Sequence, residues 1–191
     1  AAEDAEVVQR IDVGFDPDEL PDCSGALVAL QHINSETGTI MQPYKGGTLA
    51  ATIRKAGSVL LIDASQSAGK LPLPDADMIV VSAHKFGGPI GIGALLVRDF
   101  NLLEPSGGHE RGYRQGTENL PGALGMMAAW EAGGMDSWAS KRGDHMAFAS
   151  VLGLSAEVIA PGAQTDHIFA VAHPSMSAQA LLIRLDAMGF A

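Results

Sequence analysis

Two apolar runs in this 191-residue chain end in side chains that can do chemistry. Val59-Leu60-Leu61-Ile62 ends in Asp63, and Met78-Ile79-Val80-Val81 leads into Ser82-Ala83-His84-Lys85, with Lys85 22 positions after Asp63. A lysine amine forms a Schiff base with an aldehyde, and a carboxylate keeps a pyridine nitrogen protonated so that the ring acts as an electron sink. An aspartate paired with a pyridinium is stabilised as the anion and raises the ring nitrogen's pKa in return. Ser82 and His84 add a hydroxyl and an imidazole beside the lysine, suited to a phosphate tail. The set predicts pyridoxal phosphate, with Asp63 and Lys85 as the catalytic pair.

Each of these residues also has a plainer reading. A lone aspartate after a strand usually forms a turn or caps a helix, and a lone lysine is usually solvated. The His84-Lys85 pair resists that reading better, because adjacent cations repel and a bound anion relieves the repulsion. Gly87, Gly88, Gly91 and Gly93 are weak evidence by themselves, since glycine-rich turns serve many chain reversals.

The elements that must position these groups read as an α/β pattern. Ala26 to Leu30 is a short apolar run between Pro21 to Gly25 and a polar stretch, which suits a buried strand followed by a loop over Gln31 to Gly38. Tyr44 to Ala56 has helical spacing, with Arg54 and Lys55 in its last turn and Gly57 as the stop. Strands follow at Ser58 to Ile62, Met78 to Val81 and Gly93 to Val97, and their continuous apolar character predicts a sheet covered on both faces. Leu120 to Ala132 reads as a helix with Pro121 at its start, preceded by a polar loop from Glu104 to Asn119. A helix over Ser137 to Leu152, a strand over Ile168 to Ala172 and a helix over Ser177 to Met188 complete the chain. The change of texture after Gly133-Gly134 predicts a larger unit, 1–133, and a smaller one, 134–191. In open α/β sheets ligands bind beyond the carboxyl ends of the strands, which is where Asn34, Ser35 and Glu36, then Asp63 to Gln66, then Ser82 to Lys85 converge.

Composition narrows the function classes. With 47% apolar residues the chain can build a core, and a formal charge of -10 argues against nonspecific binding to nucleic acid or anionic membranes. No run of about 18 apolar residues is present and the start is acidic, so the expectation is a soluble, cytoplasmic protein with neither a nucleic-acid nor a membrane partner. One cysteine, Cys23, cannot form an internal disulfide, which fits a reducing compartment. Two decoys fail. Ala64 to Leu71 contains Gly69-Lys70 but lacks the leading glycine and trailing hydroxyl of a phosphate loop. The six histidines include no H-x-x-x-H pair, so no metal is predicted.

Four segments in order then carry a resemblance: H-I-N-S-E-T-G (32 to 38), L-I-D-A-S-Q-S-A-G-K-L-P (61 to 72), S-A-H-K-F-G-G-P-I-G-I-G-A-L (82 to 95) and G-G-H-E-R-G-Y-R-Q-G-T-E-N (107 to 119). The chain resembles the cysteine desulfurases, the NifS/IscS-like branch of class V, fold type I pyridoxal phosphate enzymes. The resemblance implies a three-layer α/β/α large domain with a mainly parallel sheet, and part of a small C-terminal α+β domain. It implies that Lys85 holds the cofactor covalently, Asp63 pairs with the pyridine nitrogen, Gln66 bonds the phenolic oxygen, and Ser82 and His84 bind the phosphate. Thr117 would reach the phosphate of a neighbouring subunit, so a homodimer is implied. Asn34 and Ser35 align with two family asparagines, of which the second lies near cofactor and substrate, and Ser35 there is a departure because it lacks the amide donor.

The implied reaction takes sulfur from L-cysteine as an enzyme persulfide, leaves L-alanine, and passes the sulfur to an acceptor protein for iron-sulfur clusters or related pathways. The family's first phosphate loop and ring-stacking histidine would precede residue 1. Its nucleophilic cysteine and carboxylate-binding arginine would follow Ala191, so the chain is expected to be a fragment or to lack its ends. Cys23 aligns with no catalytic position. A selenocysteine lyase, a class V aminotransferase-like enzyme or a non-catalytic dimerising paralogue would share Asp63 and Lys85.

Overall fold

The computed structural model describes residues 22–41, 49–133 and 141–190. The N-terminal residues, the start of the helix expected from Tyr44, the expected boundary near 134 and the start of the helix expected from Ser137 lie outside the described residues.

The first sheet has four strands in the order β1 (Leu27–Gln31), β2 (Val59–Asp63), β3 (Met78–Ser82) and β4 (Gly93–Val97). The first three are parallel, and β4 runs antiparallel to β3. Helix α1 (Leu49–Lys55) makes the crossover between β1 and β2, as parallel neighbours require. It ends where Gly57 adopts φ +70°, a conformation glycine tolerates without cost to a side chain.

Burial explains the strand sequences only in part. Leu60 and Ile62 point to the α1 side and pack on Ala50 and Ile53 in one core cluster, with Val28 and Leu30 of β1 partly buried against them. Continuous apolar runs predicted cover on both faces; instead Leu27 is 56% exposed in β1 and Leu95 is 45% exposed in β4. These two strands are the sheet edges among the described residues.

A second cluster holds the turn after β3. Ala83 and Phe86 are buried with Ala64, Ala68 and Val81, and Met126 and Ala129 of helix α2 (Leu120–Ala132) pack against them. Phe86 meets Trp130 edge-on at 5.5 Å between ring centroids. Helix α2 starts as expected, with Pro121 in its first turn and the Asn119 side-chain oxygen (Oδ1) accepting the Gly122 N–H at 3.1 Å.

The C-terminal stretch is α+β in character: α3 (Arg142–Leu152), β5 (Glu157–Ile159), β6 (Ala170–Ala172) and α4 (Ala178–Ala187), with β5 and β6 antiparallel. The β5 strand has no counterpart in the sequence reading, because three residues are too few to show a period. The β6 strand starts later than Ile168, since residues 163–168 are used to bind the loop after β1. There Ile40 N–H donates to the Ala163 carbonyl at 2.7 Å and Thr165 N–H to the Gly38 carbonyl at 2.9 Å. Gly38, at φ +72°, lies so close that a Cβ there would sit 2.5 Å from the Ile168 carbonyl oxygen.

Candidate cofactor site

Register brings the predicted groups to one edge of one face. Gln31 of β1 pairs with Asp63 of β2, and Asp63 with Val80 of β3. Since strand side chains alternate, Gln31, Asp63, Val80 and Ser82 share a face at the carboxyl end of the parallel strands. Asp63 is exposed there. One carboxylate oxygen accepts the Ser65 N–H at 2.8 Å, so the turn-forming role is real, and the other has no hydrogen bond to a described residue.

The turn after Asp63 is anchored from beneath. Ala64 N–H donates to the Val80 carbonyl at 2.9 Å, while Ala64, Ser67 and Ala68 are fully buried. That leaves Ser65 and Gln66 half-buried at the rim. The turn after β3, Ala83–Phe86, is fixed the same way: Ala83 and Phe86 go inward, Lys85 is half-buried and His84 is exposed. Ser82 makes no capping bond; its hydroxyl instead meets His84 Nδ1 at 2.9 Å. The two turns touch, because Gly69 (φ +74°) passes so close to Phe86 that an added Cβ would lie 2.8 Å from the Phe86 Cβ.

Three residues that the sequence reading gave no role stand behind these turns. His32 is half-buried, and its Nδ1 is 2.8 Å from the Ser67 hydroxyl. Lys70 donates to the Lys85 carbonyl at 2.6 Å and to the Gln66 carbonyl at 3.4 Å. His167 Nε2 lies 2.9 Å from the same Gln66 carbonyl. Burial holds all three pKa values below their ordinary ones; the Lys85 charge adds to the effect on Lys70, and the Gln66 carbonyl opposes it at His167. Lys70 sits within the quoted 61 to 72 segment, four residues after Gln66, which was its one signal. His167 is 101 positions from Gln66, so no local pattern points to it.

Asn34, Ser35 and Thr117 stand apart from this set. The Asn34 side-chain oxygen accepts the Glu36 and Thr37 N–H groups, both at 2.9 Å, and so closes its own loop. Ser35 is exposed, and among the described residues its hydroxyl reaches only Glu36, at 3.4 Å. Thr117 is exposed on the loop before α2, where Arg114 donates to the Gly116 carbonyl at 2.8 Å and His109 pairs with Glu118 at 2.8 Å. No described contact brings Thr117 to Lys85 of its own chain. Cys23, before β1, is half-buried, and its carbonyl accepts the Ala26 N–H at 2.9 Å.

The donor set fits pyridoxal phosphate. A carboxylate with one uncommitted oxygen suits a pyridinium N–H, a hydroxyl-imidazole pair free of capping duty suits a phosphate, and a lysine lies in the same turn as that pair. Among the described residues no group of His, Cys, Asp or Glu is placed to hold a metal ion, and no helix is long and apolar enough to cross a membrane.

A mainly parallel α/β sheet with aspartate and lysine at its carboxyl edge is the arrangement of the fold type I pyridoxal phosphate class. Residues 16–191 match the family described as Aminotransferase class-V, and the chain belongs to that family. It is similar to a cysteine desulfurase of Cereibacter sphaeroides, 44% identical over 113 residues, a match covering 56% of this chain and 28% of that protein. Among solved structures it is similar to a NifS-like protein, with a TM-score of 0.73 and 27% identity over 91% of this chain and 51% of that one. It is also similar to DndA from Streptomyces lividans, with a TM-score of 0.61 and 31% identity over 92% of this chain and 51% of that one. The chain spans about half the length of these solved relatives. Members of the class V family depend on pyridoxal phosphate.

Proposed function

We propose that the protein is a pyridoxal phosphate-dependent cysteine desulfurase, which takes sulfur from L-cysteine and leaves L-alanine. The observation that supports this best is the convergence of Asp63, Gln66 and the Ser82 to Lys85 turn on one edge of the parallel sheet. Bound pyridoxal phosphate supplies an electron sink for the pair left on the substrate's α-carbon when its proton departs.

In this reading Lys85 Nζ holds the cofactor and then takes that α-proton, as its place on a rigid turn allows. Asp63 keeps the proton on the ring nitrogen through its uncommitted oxygen. Gln66 donates its amide to the phenolic oxygen, and Ser82 and His84 hold the phosphate. Thr117 reaches the phosphate of a second copy. Asn34 orders the loop that presents Ser35 toward substrate. The sulfur step needs a thiolate that attacks the substrate sulfur, so that an S–S bond forms as the C–S bond breaks and the carbon takes up a proton. Cys23 is not that thiolate, since its position before β1 is remote in register from the strand ends that carry the site. The persulfide sulfur would pass to an acceptor protein, for cluster assembly or a related use.

The test is sulfide release from L-cysteine by the full-length protein with cofactor and a thiol reductant, in wild type and in Lys85→Ala. After borohydride reduction the cofactor's mass is expected on the peptide containing Lys85. Covalent attachment that survives Lys85→Ala overturns the assignment. Amino-group transfer to a 2-oxo acid without sulfide release would move the reading to an aminotransferase.

A further inference from the structure

We propose that Lys70 and His167 are positioning residues, a two-donor clamp on the Gln66 main-chain carbonyl that holds the Gln66 and Lys85 turns at a set distance; this rests on the cofactor reading of those turns. The carbonyl has two lone pairs, and both are approached: by His167 Nε2 at 2.9 Å and by Lys70 Nζ at 3.4 Å. Because a carbonyl only accepts, Nε2 of His167 carries the hydrogen, and Nδ1 faces the Thr165 hydroxyl. Lys70 Nζ also donates to the Lys85 carbonyl at 2.6 Å, so one ammonium bridges the main chains of both turns.

The clamp is backed on each side. Gly69 brings the Lys70 backbone against Phe86, whose burial fixes the Lys85 turn. His167 lies in the segment tied to the loop after β1 through Thr165 N–H and the Gly38 carbonyl, with Thr165 only 3% exposed. The C-terminal stretch thereby reaches two of the three strand-end loops at once. A half-buried lysine that donates to two carbonyls is unlike a solvated surface lysine, and its bonds are charge-assisted. A site held this way keeps the Gln66 amide and the Lys85 amine at one spacing, the requirement for groups that must meet the same ring.

The test uses Lys70→Met and His167→Phe, which keep bulk and remove the donor, with Lys70→Arg and His167→Gln as variants that keep one. Cofactor affinity and the visible absorbance band of the bound cofactor are measured in the full chain, alongside urea unfolding. Amide hydrogen exchange over residues 64–70 and 83–88 is followed without cofactor. Loss of either donor is expected to weaken cofactor binding about tenfold and to speed local exchange about tenfold, with the band shifted and both effects largely restored in the two donor-keeping variants. Unchanged affinity, band and local exchange in Lys70→Met and His167→Phe overturns the clamp. If wild type binds no cofactor the site reading fails, and exchange alone then decides: acceleration confined to those two turns supports the clamp, and none overturns it.

Discussion

Asp77 should be the most damaging carboxylate to remove, although it lies at the far end of the sheet from the candidate cofactor site. It is 6% exposed and uses both oxygens: one meets Arg54 Nε at 2.6 Å and Arg98 Nε at 3.4 Å, the other accepts the Leu60 N–H at 3.0 Å. Leu60 is fully buried, so Asp77→Ala leaves its N–H without a partner in a place water does not reach. A hydrogen bond from a buried N–H to a charged acceptor is worth roughly 1.5–3 kcal/mol. Breaking a fully buried ion pair costs about 3–5 kcal/mol, but Arg54 and Arg98 are 31% and 51% exposed and recover hydration, so only a fraction of that applies. The expected loss for Asp77→Ala is about 3 kcal/mol. For Asp77→Asn, whose amide oxygen can still accept from Leu60, it is about 1–2 kcal/mol. Asp75 binds the same two arginines from a 44% exposed position, and Asp75→Ala should cost about 1 kcal/mol or less. Urea unfolding of the four proteins, compared by midpoint at constant slope, checks the order. If Asp77→Ala loses no more than Asp75→Ala, or Asp77→Asn loses as much as Asp77→Ala, the Leu60 bond is not the reason Asp77 matters.

Gly69→Ala combines φ +74° with a Cβ 2.8 Å from the Phe86 Cβ, whereas Gly57→Ala meets only the strain of φ +70° in open space. The first should cost roughly 2–3 kcal/mol and weaken cofactor uptake, the second about 1 kcal/mol with uptake intact, measured by unfolding and by absorbance titration. The pKa values of His32 and His167 are lowered by burial, so both are bound more tightly by protons when unfolded. Their stability contribution is complete above the unfolded pKa of about 6.5 and is lost as pH falls through that value toward their lower folded ones. Urea midpoints should drop as pH is lowered from neutral, less steeply in His32→Asn; equal slopes would refute a role for His32.

What was legible in the sequence follows from how local its causes are. The strand expected over Ser58 to Ile62, found at Val59–Asp63, and the helix at Leu120–Ala132, found with its expected bounds, are specified by runs, caps and prolines within a few residues. The candidate site residues at strand ends, Asp63 and Ser82 to Lys85, were legible as a group because a break from apolar to polar marks the carboxyl edge. The exposure of Leu27 and Leu95 was not visible, because cover depends on what packs over each face of the sheet, which an apolar run does not encode.

By itself, then, the sequence determined which side chains reach the edge of the sheet and which chemistry they can support, since alternation and turn residues act over short spans. The parallel register that aligns Asp63 with Val80 was decided only by the tertiary structure. So was the arrival of His167 on the Gln66 carbonyl. These depend on groups far apart in the chain, and a hydrogen bond across 101 positions leaves no period or motif in the sequence around it.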